Sequence, residues 1–179
     1  MRNPGQNGPS RNGVPALRNS AEQPARLTVR PFAPEDHPAV RRLILEGLGE
    51  HFGFIDERIN RDLEDIAAYY AGQLFLVAVA GGEVIGTGAL VHEADRVARV
   101  VRMSVAPRHR RKGIGRVILT RLLDHARSSG YRRVLLETND DWDDVIAFYK
   151  SCGFKETGRG SGEVHFALDL QPASMYGSD

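Results

Sequence analysis

Cysteine is almost missing from this sequence. Cys152 stands alone among 179 residues, which excludes an intrachain disulfide framework and any paired-cysteine metal site, and suits a reducing interior. Net charge is nearly missing too. There are 24 Lys and Arg against 23 Asp and Glu, a net of +1. No bulk field therefore draws the chain to nucleic acid or an anionic membrane, and any anion site has to be local. No RNA-type aromatic signature is present. No apolar run approaches the roughly 18 residues of a membrane span, and the N-terminus has no apolar h-region. His37, His109, His125 and His165 show no ligand spacing, so no metal site is expected. These absences set the expectation of a soluble, cytoplasmic protein that binds neither nucleic acid nor membrane.

What is present fits one domain by length, with 41% hydrophobic residues to fill a single core. Residues 1–25 are rich in Gly, Pro, Asn, Ser and Arg and cannot bury enough to offset their ordering entropy, which predicts a disordered tail. A folded domain is expected over 26–170 and a loose C-terminal tail over 171–179. Alternating residues in "RLTVRPF" predict a strand. "PEDHPAVRRLILEGLGEHFG" opens with proline and acids and puts Val40, Leu43, Ile44, Gly47 and Leu48 on one helical face. "INRDLEDIAAYYAG" predicts a second helix through Leu63, Ile66, Ala67 and Tyr70. Gly81-Gly82 divides two β-type runs and predicts a tight hairpin. "ARVVRMSVAP" is a further strand. Ile114, Ile118, Leu122 and Ala126 share a helical face after Gly113. "YRRVLLETN" is a strand, "DDWDDVIAFYKSCGF" a helix through Val145, Phe148, Tyr149 and Cys152, and "FKETGRGSGEVHFALDL" two strands about a glycine turn. The expected order is β-α-α-β-β-β-α-β-α-β-β, a mixed α/β domain without repeats.

The chemistry concentrates in "RMSVAPRHRRKGIGRV". Arg108, Arg110, Arg111 and Lys112 precede a helix that starts near Gly113, and Arg116 lies in its first turn. Cations there oppose the helix dipole. A strongly anionic ligand reverses that penalty, because the unpaired N–H groups of a helix N-terminus cradle a phosphate and glycines let it approach. The turn is not a Walker loop and lacks the third glycine of a dinucleotide fingerprint. Taken alone, it is equally a solvated basic turn.

A strand "MSVAP", then Arg110-x-x-Gly113-x-Gly115, then a helix, resembles the acyl-CoA-binding signature of the GNAT (GCN5-related N-acetyltransferase) superfamily. "VLLETN" followed by "AFYKSCGF" resembles the second half of the same superfamily, and the resemblance covers about residues 26–170. It implies a mixed, mostly antiparallel central sheet with splayed central strands, flanked by about four helices. It also implies an acyl-CoA-dependent N-acyltransferase with acetyl-CoA as donor and an amine as acceptor. By the same resemblance the cofactor is bound by the turn Arg110, Arg111, Lys112, Gly113, Ile114, Gly115 and Arg116. Main-chain groups of Met103, Ser104 and Val105 would meet the pantetheine arm, Asn139 would lie beside the cofactor, and Tyr149 would point at the thioester sulfur.

The residue types suit that reaction. A main-chain N–H near Val105 can hydrogen-bond a developing oxyanion. A tyrosine is protonated at neutral pH and can give a proton to the leaving thiolate. Tyr149 equally fits a packed ring with a bonded tip, and Asn139 equally fits a turn or helix cap. Cys152 fits a buried inert thiol. For the base, Glu137 is the first candidate, with His92 and Glu93, or Glu46, Glu50 and His51, as other candidates. On the acceptor side, Phe52, Phe54, Tyr69 and Tyr70 offer aromatic wall and Asp56 and Glu57 a lure for a cationic amine. Phe52 and Phe54 serve as well as core plugs. The expected function is transfer of an acetyl group to a primary amine of a small molecule. Protein or peptide N-acetylation and a non-catalytic acyl-CoA sensor are the alternatives. Oligomeric state is left open, a homodimer included.

Overall fold

Strands form here where branched apolar residues cluster between glycines, and helices where the apolar period lengthens to three and four. The computed structural model describes residues 26–52 and 60–171. The elements are β1 (Thr28–Pro31), α1 (His37–Phe52), α2 (Ile66–Tyr69), β2 (Leu74–Ala80), β3 (Glu83–Ala94), β4 (Val97–Val105), α3 (Ile114–Ser128), β5 (Arg133–Asn139), α4 (Asp143–Ser151), β6 (Lys155–Gly160) and β7 (Glu163–Asp169). This is the order read from the sequence. The expected tails lie outside the described residues, apart from Gln171.

The strands make one seven-stranded sheet in the order β1-β2-β3-β4-β5-β7-β6. Every neighbouring pair is antiparallel except β4 and β5, which run parallel. The sheet is thus mixed and mostly antiparallel, as expected. Gly81 and Gly82 both have positive φ, 60° and 79°. That is the backbone a two-residue type I′ hairpin requires.

Two features shape the middle of the sheet. β4 and β5 pair only from Val97–Arg133 to Arg99–Leu135. Beyond that point β4 stays on β3 through Val105, and β5 stays on β7 through Asn139. The central pair therefore splays. In addition, β3 and β4 shift register between Thr87–Ser104 and Ala89–Val101. Gly88 alone then faces both Arg102 and Met103, which is a β-bulge.

The sheet carries a core on each face. On one, Leu76, Ile85, Leu90, Val100, Val134 and Leu136 pack against α3 and α4. The predicted face of α3 is fully borne out, with Ile118, Leu122 and Ala126 at 0% exposure. On the other, Phe75, Val77 and Ala89 pack against Val40, Ile44 and Leu45 of α1 and Ile66 of α2. Among the described residues no helix is long and apolar enough to cross a membrane.

The second helix differs from its predicted extent. Residues Arg61–Leu63 form a 3-10 turn, and only Ile66–Tyr69 is α-helical. The break comes from two aspartates. Asp65 accepts a hydrogen bond from the Ala68 N–H and caps a new helix start, while the Asp62 carboxylate is engaged by Arg102. In α4 the deepest residues are Ile146 and Tyr149, with Val145, Phe148 and Cys152 only partly buried.

Candidate active site

The β4–α3 turn bends through left-handed backbone at Arg111 (φ 61°) and Gly113 (φ 81°). Gly113 is the N-cap of α3, makes no side-chain cap, and no acid follows in the first turn. The N–H groups of Ile114, Gly115 and Arg116 therefore start the helix uncapped by side chains, as an anion cradle needs. A Cβ on Gly115 would lie 3.7 Å from both Val105 Cγ2 and Phe148 Cζ. Gly115 thus brings the end of β4, the start of α3 and the side of α4 together.

The cations around this turn divide into two groups. Arg108 is ion-paired with Glu83. Arg110 donates to Glu50 at 2.6 Å and to the Val105 carbonyl at 3.0 Å, so its side chain ties the turn to α1. Arg116 donates to Ser151 at 2.8 Å and lies 5.7 Å over the Phe148 ring, tying α3 to α4. Arg111 and Lys112 make no such tie among the described residues. Of the predicted cofactor residues, Arg110 and Arg116 thus brace the turn with their side chains. Arg111 and Lys112 keep uncommitted charge.

Tyr149 lies on the same side of the splay. Its ring, 6% exposed, packs 5.9 Å from Phe154 and 6.1 Å from Phe166. Phe166 pairs in register with Leu136, the first residue of β5 past its last partner on β4. Burial pushes the phenol's pKa upward, with the neighbouring Cys152 adding to the shift. The hydroxyl has no hydrogen-bond partner among the described residues. Yet no buried side-chain oxygen or nitrogen among them lacks one. The hydroxyl therefore keeps a trace of surface contact, although the residue as a whole is buried.

Glu137 faces the opposite side, where it shares Arg99 with Glu93. Arg99 donates to both oxygens of Glu93 at 2.9 Å and is ion-paired with Glu137. The hydrogen bonds from Arg99 hold the Glu93 carboxyl below its ordinary range, and the bond to Glu93 leads in raising the guanidinium. This Glu-Arg-Glu cluster sits at the vertex of the splay, since Arg99 is the last β4 residue paired with β5. Asn139 ends β5, and its carbonyl accepts from the Trp142 N–H. Trp142, the N-cap of α4, makes no side-chain cap, and neither does Asn139 supply one.

Of the other candidate bases, His92 Nδ1 lies 3.4 Å from Tyr131 Oη, Glu50 is held by Arg110, and Glu46 is 4.0 Å from Arg42. Tyr69 is 65% exposed and Tyr70 is buried. Phe54, Asp56 and Glu57, and the side chains of His51 and Phe52, lie outside the described residues. Sequence reasoning missed Arg99 and Arg102 as organising charges. No local pattern marks them, because their partners are distant in the chain. Among the described residues no group of three His, Cys, Asp or Glu side chains is gathered as a metal site.

Residues 37–154 match the profile of the Acetyltransferase (GNAT) family. The chain is 35% identical over 126 residues to rat N-acetylaspartate synthetase, covering 68% of this chain and 41% of that protein. It is 29% identical over 141 residues to mouse N-acetyltransferase 8, covering 69% of this chain and 62% of that one. It therefore spans less than two thirds of these relatives' length. A GNAT-family acetyltransferase structure from Staphylococcus aureus Mu50 superposes with a TM-score of 0.75 at 21% identity, over 82% of this chain and all of that one. The PaiA N-acetyltransferase of Thermoplasma acidophilum in complex with coenzyme A superposes at 0.70 and 18% identity, over 81% of this chain and 99% of that one. The family match covers well over half of the sequence, and the mixed, mostly antiparallel sheet is that of the structural neighbours, so the chain belongs to the GNAT family of acetyltransferases.

Proposed function

We propose that this chain moves an acetyl group from acetyl-CoA to the primary amine of a small molecule, by direct attack in a ternary complex. One observation carries the reading: Gly115 joins the end of β4, past its pairing with β5, the uncapped start of α3 and the helix bearing Tyr149 at one point. The neighbour crystallised with coenzyme A supports the donor, and the relative named for N-acetylaspartate supports a small acceptor.

In this reading the pyrophosphate lies on the N–H groups of Gly113–Arg116, with Arg111 and Lys112 supplying charge. The pantetheine amides use the main-chain groups that Met103–Val105 and Asn139 do not spend on each other. The amine attacks the thioester carbonyl, the developing oxyanion takes a main-chain N–H near Val105, and the C–S bond breaks. Tyr149 Oη gives its proton to the leaving thiolate. Glu137 takes the proton of the attacking amine, directly or through water, and with Glu93 it draws the ammonium form toward the vertex. Much of the rate gain comes from holding amine and thioester together.

The test is release of free CoA over a panel of amino acids, polyamines and peptides, beside an acetyl-CoA titration. Turnover on a small amine is expected. Turnover on peptides alone would replace this acceptor with a protein, and tight binding without turnover on any amine would replace the enzyme with a sensor.

A further inference from the structure

The scheme above leaves a buried charged cluster unused. Arg102 of β4 grips Asp62 with two bonds, Nε to Oδ2 at 2.8 Å and Nη2 to Oδ1 at 2.5 Å, and donates to Asn60 Oδ1 at 3.0 Å. Tyr70 Oη donates to the same Asp62 at 2.6 Å. The Arg102 and Asp62 side chains are 20% and 8% exposed. A buried ion pair is weak evidence of stability, because well-packed apolar side chains often serve as well. Its position gives it another meaning.

Arg102 has φ 55°, a left-handed conformation that a residue with a Cβ adopts only when its surroundings enforce it. It is one of the two residues bulged against Gly88. Three constraints meet there. The Asp62 carboxylate takes the guanidinium fork, the Thr87 hydroxyl donates to the Arg102 carbonyl at 2.8 Å, and the bare Gly88 admits the Met103 side chain. The bulge lies between Arg99, the last β4 residue paired with β5, and Val105, the end of the strand. It therefore sets the aim of the main chain along the open length of the splay.

We propose that Arg102 is a positioning residue, whose bidentate grip on Asp62 holds the β4 bulge in the shape that presents the main chain of Met103–Val105 to the acyl thioester. The inference rests on the acyl-transfer reading above. The tether acts on the β4 backbone, whereas the phosphate cradle is built from the turn after that strand, so its loss should spare CoA affinity and affect catalysis. Lysine keeps the charge but cannot form the fork.

The experiment compares wild type, Arg102→Lys and Asp62→Asn by melting curve, CoA titration, steady-state kinetics and hydrogen exchange of the segment 101–105 with and without acetyl-CoA. If a single variant fails to fold, Arg102→Gln combined with Asp62→Asn supplies a neutral hydrogen-bonded pair in its place. The expected result is unchanged CoA affinity, a kcat lower by on the order of tenfold to a hundredfold, as for a displaced reacting geometry, and loss of the acetyl-CoA-dependent slowing of exchange at 101–105. Wild-type kcat and wild-type exchange in folded Arg102→Lys would overturn the proposal, as would a rate loss that only follows the unfolded fraction. If the wild type binds acetyl-CoA but acetylates no amine, the acyl-transfer reading falls by itself, and the exchange comparison still decides the tether. A wild type that binds no acetyl-CoA overturns both.

Discussion

Gly88 and Met103 face each other so closely that a Cβ on Gly88 would sit 2.6 Å from Met103 Sδ, and 2.7 Å from Ile118 Cγ2. Glycine at 88 is thus a packing requirement of the bulge and of the α3 core together. Gly88→Ala should destabilise the fold by about 1–3 kcal/mol through overpacking, read as a lower urea midpoint with unchanged m-value. An unaltered midpoint would show that the β3–β4 pairing is looser than the register implies.

Gly115 offers the opposite case. Its neighbours leave ordinary van der Waals room for a methyl group, so Gly115→Ala should keep the melting temperature near wild type. Gly115→Asp should weaken acetyl-CoA binding by about tenfold or more, or about 1.4 kcal/mol, because a carboxylate then confronts the pyrophosphate. Titration calorimetry of both variants separates charge from bulk. Equal affinity in the aspartate variant would remove the pyrophosphate from this turn.

Tyr149→Phe removes a hydroxyl that no described protein group holds, and it keeps the ring against Phe154 and Phe166. Stability and acetyl-CoA affinity should therefore stay, while kcat falls about a hundredfold if thiolate protonation limits the rate. Because burial raises the phenol pKa, the acid form persists above the ordinary tyrosine value near 10. Loss of activity between pH 8 and 10 should then be no different in the phenylalanine variant. Full turnover in that variant would return Tyr149 to a packing role.

The acid limb of stability should depend on Asp36. This buried carboxylate accepts from Arg30 at 2.6 and 2.8 Å and from the Ala33 N–H at 2.8 Å. The Arg30 bond leads in lowering its pKa. A group lowered in the folded state contributes stability above its unfolded pKa, about 3.9, and that stability is lost as pH falls through the folded value. Asp36→Asn should cost about 2 kcal/mol near pH 7 and flatten the loss of melting temperature below pH 4. Parallel curves for the two proteins would assign the acid limb to other groups.

The order of elements was legible because each carries its own period and its own stop. Gly81-Gly82 marks the hairpin, Pro107 the end of β4, and Gly130 and Gly153, both at positive φ, follow α3 and α4. The glycine turn that opens α3 was legible for the same reason: its residues are contiguous. What escaped were partnerships across the chain. Arg102 meets Asp62 from 40 residues away and Arg99 meets Glu137 from 38. Whether an arginine in the turn faces a ligand or a neighbour was equally hidden, since Glu50, which holds Arg110, lies 60 residues upstream. Asp62 and Asp65 read as ordinary helix residues until their side chains took other partners.

The parting of β4 from β5 gives this sheet two borders that ordinary sheets lack. Among the described residues, each outer strand, β1 and β6, has one free side, and so does each of the two central strands past Arg99 and Leu135. Exposed borders normally invite a stray strand and aggregation. These two diverge from a closed end at Arg99 and Leu135, so they open from a single point rather than along the rim of the sheet. Main-chain groups free of a strand partner on that flank thus lie in the middle of the sheet rather than only at its rim.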